Sequence, residues 1–150
     1  MTLDEKTLER LIRKVIDETL GNRSQGIEKQ VDAASGIIAV RATTVDPPPF
    51  DTGKAGARVF IQDVFSRAES PRLGSGIMAM RGGASFDWTL KYDEIDYIIE
   101  GTLDIRIDGR TVTARAGDIL LIPKNSSITF STPDSTRFMY VTYPADWQDQ

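Results

Sequence analysis

Two carboxylic acids, two positions apart, are the residues of this chain that could do chemistry together. Glu94, Asp96 and Ile98 alternate along the segment EIDYIIE, and alternate residues of a β-strand point to the same face of a sheet. If Glu94 faces the interior, Asp96 does too. Carboxylates that share a poorly solvated cavity repel each other, so one of them should have a raised pKa and hold a proton near neutral pH. The pattern predicts an acid–base site or a cation site.

Two neighbouring side chains could complete such a site. Tyr92, on the approach to the strand, could form hydrogen bonds, and Lys91 beside it could offer positive charge to an anionic ligand. We therefore take Glu94, Asp96 and Tyr92 as candidate catalytic residues and Lys91 as a candidate cofactor-binding residue. The alternative is that the two acids are hydrogen-bonded structural residues of a partly solvated interior.

The residue types that are missing exclude several kinds of chemistry. The 150 residues include no Cys and no His. Disulfides, thiolate nucleophiles and thiolate metal sites are therefore excluded, and so are the commonest transition-metal ligand and the commonest general base near neutral pH. Acidic and basic residues are interspersed and the net charge is −4. Nucleic acid is not an expected partner, because there is no concentrated positive field to hold its phosphates.

An apolar stripe near the start of the chain predicts an amphipathic helix over residues 1–21. Its members lie three and four positions apart: Leu8, Leu11, Ile12, Val15, Ile16 and Leu20. Thr2 with Glu5 forms a capping-box pattern, and Gly21 suits a left-handed C-cap. Residues 22–36 are small and polar, which predicts a flexible connection. The charged start is neither a signal peptide nor a membrane span, so we expect a cytoplasmic protein with no membrane partner.

From residue 37 onward, short runs of β-branched and aromatic residues predict an all-β body, with a β arm at 37–57 that leads into a barrel at 58–148. The clearest runs are 59–65, 76–80, 94–100, 102–107, 111–116, 118–123, 127–131 and 137–143. Asp108–Gly109 between two of them is a strong signal for a two-residue hairpin. Many short strands favour a barrel or a two-sheet jelly roll, because these architectures hide strand edges.

Two spacings resemble the motifs of the cupin fold. Glu94 is followed by six residues and Gly101, and Gly117 by five residues, Pro123, one residue and Asn125. Asn replaces the final Gly of the second motif, which is acceptable because Asn tolerates a left-handed backbone. The resemblance implies an all-β cupin (RmlC-like jelly roll) β-barrel with an N-terminal amphipathic helix.

The histidines that bind metal in cupins have no counterpart here. Their positions carry Trp88, Leu90 and Ile128 or, in an alternative alignment, Asp87, Thr89 and Ile128. Only Glu94 remains of the usual ligands, and one carboxylate serves iron, zinc or copper poorly. We therefore do not expect a cupin metalloenzyme, although Glu94 and Asp96 with waters could suit Mg²⁺. Trp88 and Trp147 could line a pocket, but Trp in a small barrel is more often core or dimer interface.

The stretch from Tyr92 to Gln148 closely resembles the cupin domain of the EutQ family of ethanolamine utilisation proteins. The resemblance lies in WTLKYDEIDYIIEG at 88–101, AGDILLIPKNSSI at 116–128 and the terminal YPADWQ at 143–148. It implies breakdown of ethanolamine or a related amino alcohol in a bacterial microcompartment, and an acetate kinase activity that converts ATP and acetate to ADP and acetyl phosphate. Mg²⁺ and ATP would then be needed, with Mg²⁺ at Glu94 and Asp96 and with Lys91, Arg106 or Lys124 near phosphate. No tightly bound cofactor is expected.

The resemblance also implies partners. The helix at 1–21 looks like the peptides that bring cargo to a microcompartment shell protein, whose groove could bury its apolar stripe. It could instead pack on its own barrel or on a copy of itself. A homodimer is implied by the family and by strand edges that need cover. Longer family members carry a larger N-terminal region, on which the kinase activity could depend. A non-catalytic assembly module, or a sensor with a small-molecule ligand in the barrel, remains an alternative.

Overall fold

The described part of the chain forms two compact units. The computed structural model describes residues 5–20 and 26–149, without side chains at 5, 13, 14 and 16–20. The first unit is Met1–Asp46 and the second is Pro47–Gln150. Among the described residues, no helix combines the length and the apolar character needed to cross a membrane.

The first unit contains a helix and a hairpin. Helix α1 (Glu5–Leu20) confirms the predicted helix, while its expected caps, Thr2 and Gly21, lie outside the described residues. Strand β1 (Lys29–Asp32) pairs antiparallel with β2 (Ile37–Val40). Residues 29–32, which were expected to belong to a flexible connection, therefore form strand β1, which pairs with β2. The turn between them explains the difference, because Asp32 accepts a hydrogen bond from the Ser35 amide at 3.2 Å and Gly36 has φ +79°.

The second unit is the predicted all-β body. Its strands are β3 (Val59–Asp63), β4 (Gly74–Met80), β5 (Ser85–Thr89), β6 (Asp93–Ile107), β7 (Arg110–Arg115), β8 (Ile119–Ile122), β9 (Ser127–Ser131) and β10 (Thr136–Tyr143). All their pairings are antiparallel. The hairpin at Asp108–Gly109 is confirmed by φ values of +48° and +75°, and Asn125 has the expected left-handed backbone at φ +70°. Strand β5 was not predicted.

Strand β6 belongs to two sheets and so connects the two layers that enclose the core. Its first half pairs with β10 and β8, in a sheet ordered β3-β4-β10-β6-β8. Its second half pairs with β7 and β9, in a sheet ordered β5-β9-β6-β7. The two runs predicted at 94–100 and 102–107 are thus one strand with an irregularity between its halves.

Gly101 marks that irregularity. The pairing register between β6 and β10 shifts nearby, between Arg137 and Phe138. Gly101 has φ +73°, and a Cβ at this position would lie 2.0 Å from the Ser135 carbonyl oxygen. A glycine is therefore required both for the backbone conformation and for the close approach of the next chain segment. The core beneath includes the fully buried side chains of Ile98, Leu103 and Phe138.

Candidate functional site

A small cavity with aromatic walls lies inside the second unit. Its lining residues are Phe50, Ile61, Met78, Phe86, Trp88, Tyr92, Glu94, Phe130, Tyr140, Thr142 and Trp147. The space open to the centre of a water molecule inside the cavity is about 20 Å³. This space exceeds the need of a single water molecule and is far too small for a nucleotide. As it stands, the cavity has room for about one or two water-sized groups.

Strand β6 presents the two acids to this interior. Glu94 is 4% exposed and Asp96 is fully buried, whereas the alternate positions Asp93, Ile95 and Tyr97 are exposed. Glu94 lines the cavity and Asp96 does not. Within the described part of the chain, no donor reaches Glu94 Oε1 or either carboxylate oxygen of Asp96, but the two side chains share a hydrogen bond when one of them is protonated. Such buried acceptors are costly unless a proton or a ligand satisfies them.

Burial changes the protonation of both acids. It raises the pKa of Glu94 to about 7, since a buried carboxylate loses its hydration. Burial also raises the pKa of Asp96 well above its usual range, and the negative charge of Glu94 adds to that effect. The pair therefore holds at least one proton near neutral pH. The pKa of Tyr92 is raised as well, first by burial and then by the charge of Glu94.

Two tryptophans form part of the cavity wall. The Trp88 indole Nε1 donates a hydrogen bond to the Tyr92 hydroxyl at 2.9 Å. The rings of Trp88 and Trp147 meet edge to face, with centroids 6.2 Å apart. Trp147 also packs against Phe50 and Tyr140. The terminal YPADWQ segment thus helps to close the cavity.

Asp63 holds two of the lining groups in place. Its Oδ1 accepts a hydrogen bond from the Tyr140 hydroxyl and another from Trp147 Nε1, the latter at 3.3 Å. Gly76 makes room for the tyrosine, because a Cβ at Gly76 would lie 2.1 Å from the Tyr140 hydroxyl oxygen. Gly74 likewise makes room for Thr142, because a Cβ at Gly74 would lie 2.4 Å from Thr142 Oγ1. Thr142 Oγ1 donates to the Pro144 carbonyl at 3.3 Å.

The structure brings some of the predicted site residues together and leaves others outside. Glu94 and Tyr92 line the cavity, and Asp96 lies on the same inward face of β6. Lys91 is exposed and does not line the cavity. Arg106 and Lys124, considered as phosphate contacts, are also exposed. Of the described residues, no Lys or Arg lines this cavity.

Sequence reasoning missed the contribution of β10. Thr142 pairs in register with Glu94, and Tyr140 with Asp96. Both side chains point inward with Phe138, as alternation along RFMYVTY would allow. The alternation of residue types predicts which side chains of β10 face inward, but nothing in the sequence predicts that β10 pairs with β6.

The interior does not fit the metal of a cupin. Trp88 and Leu90 face inward, whereas Asp87 and Thr89 are exposed and bond to Thr129 and Ser127. The histidine positions are therefore filled by Trp88, Leu90 and the buried Ile128, none of which is a ligand. Glu94 and Asp96 have the oxygen chemistry of an Mg²⁺ site, but the described residues contain no group of three potential ligands. The cavity also lacks room for the several waters that Mg²⁺ keeps.

Comparison with solved structures identifies the fold. An RmlC-like cupin from Shewanella frigidimarina superposes with a TM-score of 0.53 at 18% identity, over 65% of this chain and 86% of that one. The solved structure of the Clostridium difficile EutQ protein gives a TM-score of 0.80 at 50% identity, over 83% of this chain and 92% of that one. The body is therefore an all-β cupin, as predicted.

Sequence comparison identifies the family. A protein of Clostridioides difficile named acetate kinase EutQ is 46% identical over 153 residues, which cover 99% of this chain and 96% of that protein. A Salmonella typhimurium protein of the same name is 37% identical, and the match covers 96% of this chain but only 63% of that protein. The family model described as ethanolamine utilisation protein EutQ matches residues 3–149. The chain therefore belongs to the EutQ family of ethanolamine utilisation proteins.

Proposed function

We propose that this EutQ family member acts as an acetate kinase in the utilisation of ethanolamine or a related amino alcohol. The observation that carries the proposal is the 46% identity to a protein named acetate kinase EutQ, across nearly the full length of both chains. The buried acids Glu94 and Asp96 support the proposal by offering candidate acid–base groups. Because the C. difficile relative is matched over 96% of its length, the proposal does not depend on the longer N-terminal region of other relatives.

The reaction would transfer the terminal phosphoryl group of ATP to acetate. An acetate oxygen forms a bond to the γ-phosphorus, the bond from that phosphorus to the β–γ bridging oxygen breaks, and its electron pair leaves with ADP. Positive charge must offset the charge on the phosphoryl oxygens. None of the described residues that line the cavity is positively charged, and the cavity has no room for a nucleotide, so ATP would have to bind outside it. Lys91, exposed beside Tyr92, is a candidate for that contact.

The first test is ATP formation from acetyl phosphate and ADP with Mg²⁺. We expect turnover by the wild-type protein and a loss of at least about tenfold in Glu94→Gln and Asp96→Asn, since each removes one ionisable group from the pair. Glu100→Gln is the matched control, because Glu100 lies on the same strand but is exposed. Deletion of residues 2–20 should leave turnover in solution unchanged.

Host acetate kinase must be excluded by preparing all variants from a strain that lacks it. Equal turnover in wild type, both acid variants and the control would show that the acids are not part of a kinase site. No turnover by the wild type would contradict the kinase proposal itself.

A second candidate, a small-molecule sensor, is favoured by the cavity. The space is closed to nucleotides, lacks Lys and Arg among its described lining residues, and contains an unpaired buried carboxylate oxygen. Tight binding of a small metabolite without turnover would support this candidate. The acetate kinase needs a nucleotide site on the barrel, whereas the small-molecule sensor does not.

Two further proposals concern assembly. The described apolar side chains of the α1 stripe, Leu8, Leu11, Ile12 and Val15, are exposed, from 44% at Leu11 to 57% at Val15. This exposure supports docking of the helix to a microcompartment shell protein. The outer face of β6 and β8 is also apolar, since Ile95 pairs with Leu121 and Tyr97 with Ile119. An edge strand with exposed apolar side chains supports a homodimer. We accordingly propose a cytoplasmic protein associated with a microcompartment.

A further inference from the structure

Most of the hydrogen-bond donors that line the cavity are already used within the protein, and the Tyr92 hydroxyl, which accepts from Trp88 Nε1, keeps its own proton free to donate. Four of them donate to protein oxygens, namely those of Trp88, Tyr140, Thr142 and Trp147. What faces the cavity is therefore mainly acceptor capacity. Glu94 Oε1 is an acceptor in a side chain that is 4% exposed, and it has no partner among the described residues. A ligand that complements this lining must itself bring donors.

The charge around the cavity also favours a ligand that brings hydrogen-bond donors. Glu94 lines it, Asp96 lies next along the same face, and none of the described lining residues is Lys or Arg. The walls are aromatic rings, including those of Trp88, Trp147 and Tyr92. The faces of such rings attract cations, and sets of them recognise ammonium groups. An anion such as acetate would meet an acid, ring faces and almost no free donor.

We infer that the cavity binds a small protonated amine of the amino-alcohol class. The ammonium group donates to Glu94 Oε1 and is surrounded by the aromatic rings, while the ligand hydroxyl oxygen accepts from the Tyr92 hydroxyl, whose oxygen already accepts from Trp88. A two-carbon amino alcohol has four heavy atoms, more than the space at rest holds, so its binding requires the lining side chains to move apart. The inference rests on the second candidate function, small-molecule binding, and is independent of phosphoryl transfer.

The chain contains its own reporter for the test. Its two tryptophans, Trp88 and Trp147, both line the cavity, so intrinsic fluorescence follows occupancy. Wild-type protein is titrated near neutral pH with ethanolamine hydrochloride, ethylamine hydrochloride, ethylene glycol and sodium acetate, with sodium chloride as the control for ionic strength. Isothermal calorimetry on the same samples gives the dissociation constants.

We expect saturable binding of ethanolamine, binding of ethylamine that is weaker by about threefold or more, and no saturable signal from ethylene glycol or acetate. Glu94→Gln should weaken ethanolamine binding by at least about tenfold, because it removes a charge-assisted hydrogen bond. Tyr92→Phe should remove most of the preference for ethanolamine over ethylamine. Glu100→Gln, exposed on the same strand, should bind as the wild type does.

Acetate binding tighter than ethanolamine, or no saturable signal from either amine, would overturn the inference. The wild-type ligand series decides the matter even if a variant does not fold. Turnover of acetyl phosphate and ADP is measured on the same preparation, so that the two proposals can fail separately. Turnover without amine binding would remove this inference and leave the kinase, whereas amine binding without turnover would do the opposite.

Discussion

At the scale of single residues, the burial of Glu94 couples protonation to stability. Its pKa is about 7 in the folded protein against an ordinary value of 4.5, so the folded state keeps this proton over a pH range in which the unfolded chain has lost it. Stability must therefore fall as the pH rises through that range. Asp96, whose pKa is also raised by burial, contributes with the same sign.

We expect Glu94→Gln to be more stable than the wild type at about pH 8, by up to about 3 kcal/mol, because the amide needs no ionisation. At about pH 4 the two proteins should differ little. Urea unfolding curves across this range give the free energies, with Glu100→Gln as the exposed control. Parallel pH dependence in wild type and Glu94→Gln would mean that Glu94 does not carry the raised pKa.

At the scale of elements, the long strand β6 depends on one glycine. Gly101 and Gly109 have similar backbone conformations, with φ +73° and +75°, but only Gly101 has close neighbours where a Cβ would lie. Comparison of the two positions separates backbone strain from steric overlap.

Gly101→Ala should destabilise the barrel by about 3 kcal/mol or more, since it adds overlap with the Ser135 carbonyl to the cost of a left-handed alanine. Gly109→Ala should cost about 1 kcal/mol, because its Cβ meets nothing within 4 Å. Denaturant unfolding of both variants tests the difference. Equal losses would show that the segment at Ser135 moves aside freely.

At the scale of the whole molecule, the outer face of β6 and β8 bears on assembly. Ile119 is 71% exposed and Leu121 is 66% exposed, and both are on a strand that pairs with β6 on one side. These side chains add nothing to the core of one chain, yet a second copy could bury them.

We expect the double variant Ile119→Lys, Leu121→Lys to shift the protein from dimer to monomer at micromolar concentration, because paired lysines would repel across a two-fold interface. Light scattering after size exclusion measures the mass. Val112→Lys, at a half-exposed apolar position on β7, is the control and should remain dimeric. A monomeric wild type would contradict the proposed dimer, whereas a dimeric double variant would place its interface elsewhere.

The sequence by itself determined the fold class and the shared inward face of Glu94 and Asp96. Alternation along 94–98 put Glu94 and Asp96 on one face, and turn chemistry placed Asp108, Gly109 and Asn125 correctly. These predictions succeeded because they depend on local periodicity and on backbone conformations that few residues tolerate. The family motifs at 88–101 and 116–128 were recognisable because they too are local patterns of residue type and spacing.

The tertiary structure alone decided what surrounds the acids. Pairing of β10 with β6 places Thr142 and Tyr140 opposite Glu94 and Asp96, and contacts of Trp147 with distant rings close the cavity. These neighbours come from strand order, which local sequence does not encode. The size of the cavity, the unpaired Oε1 of Glu94 and the exposure of Lys91 follow from that packing. A sequence can show which side chains share a strand face, but only packing decides which donors, charges and rings they meet.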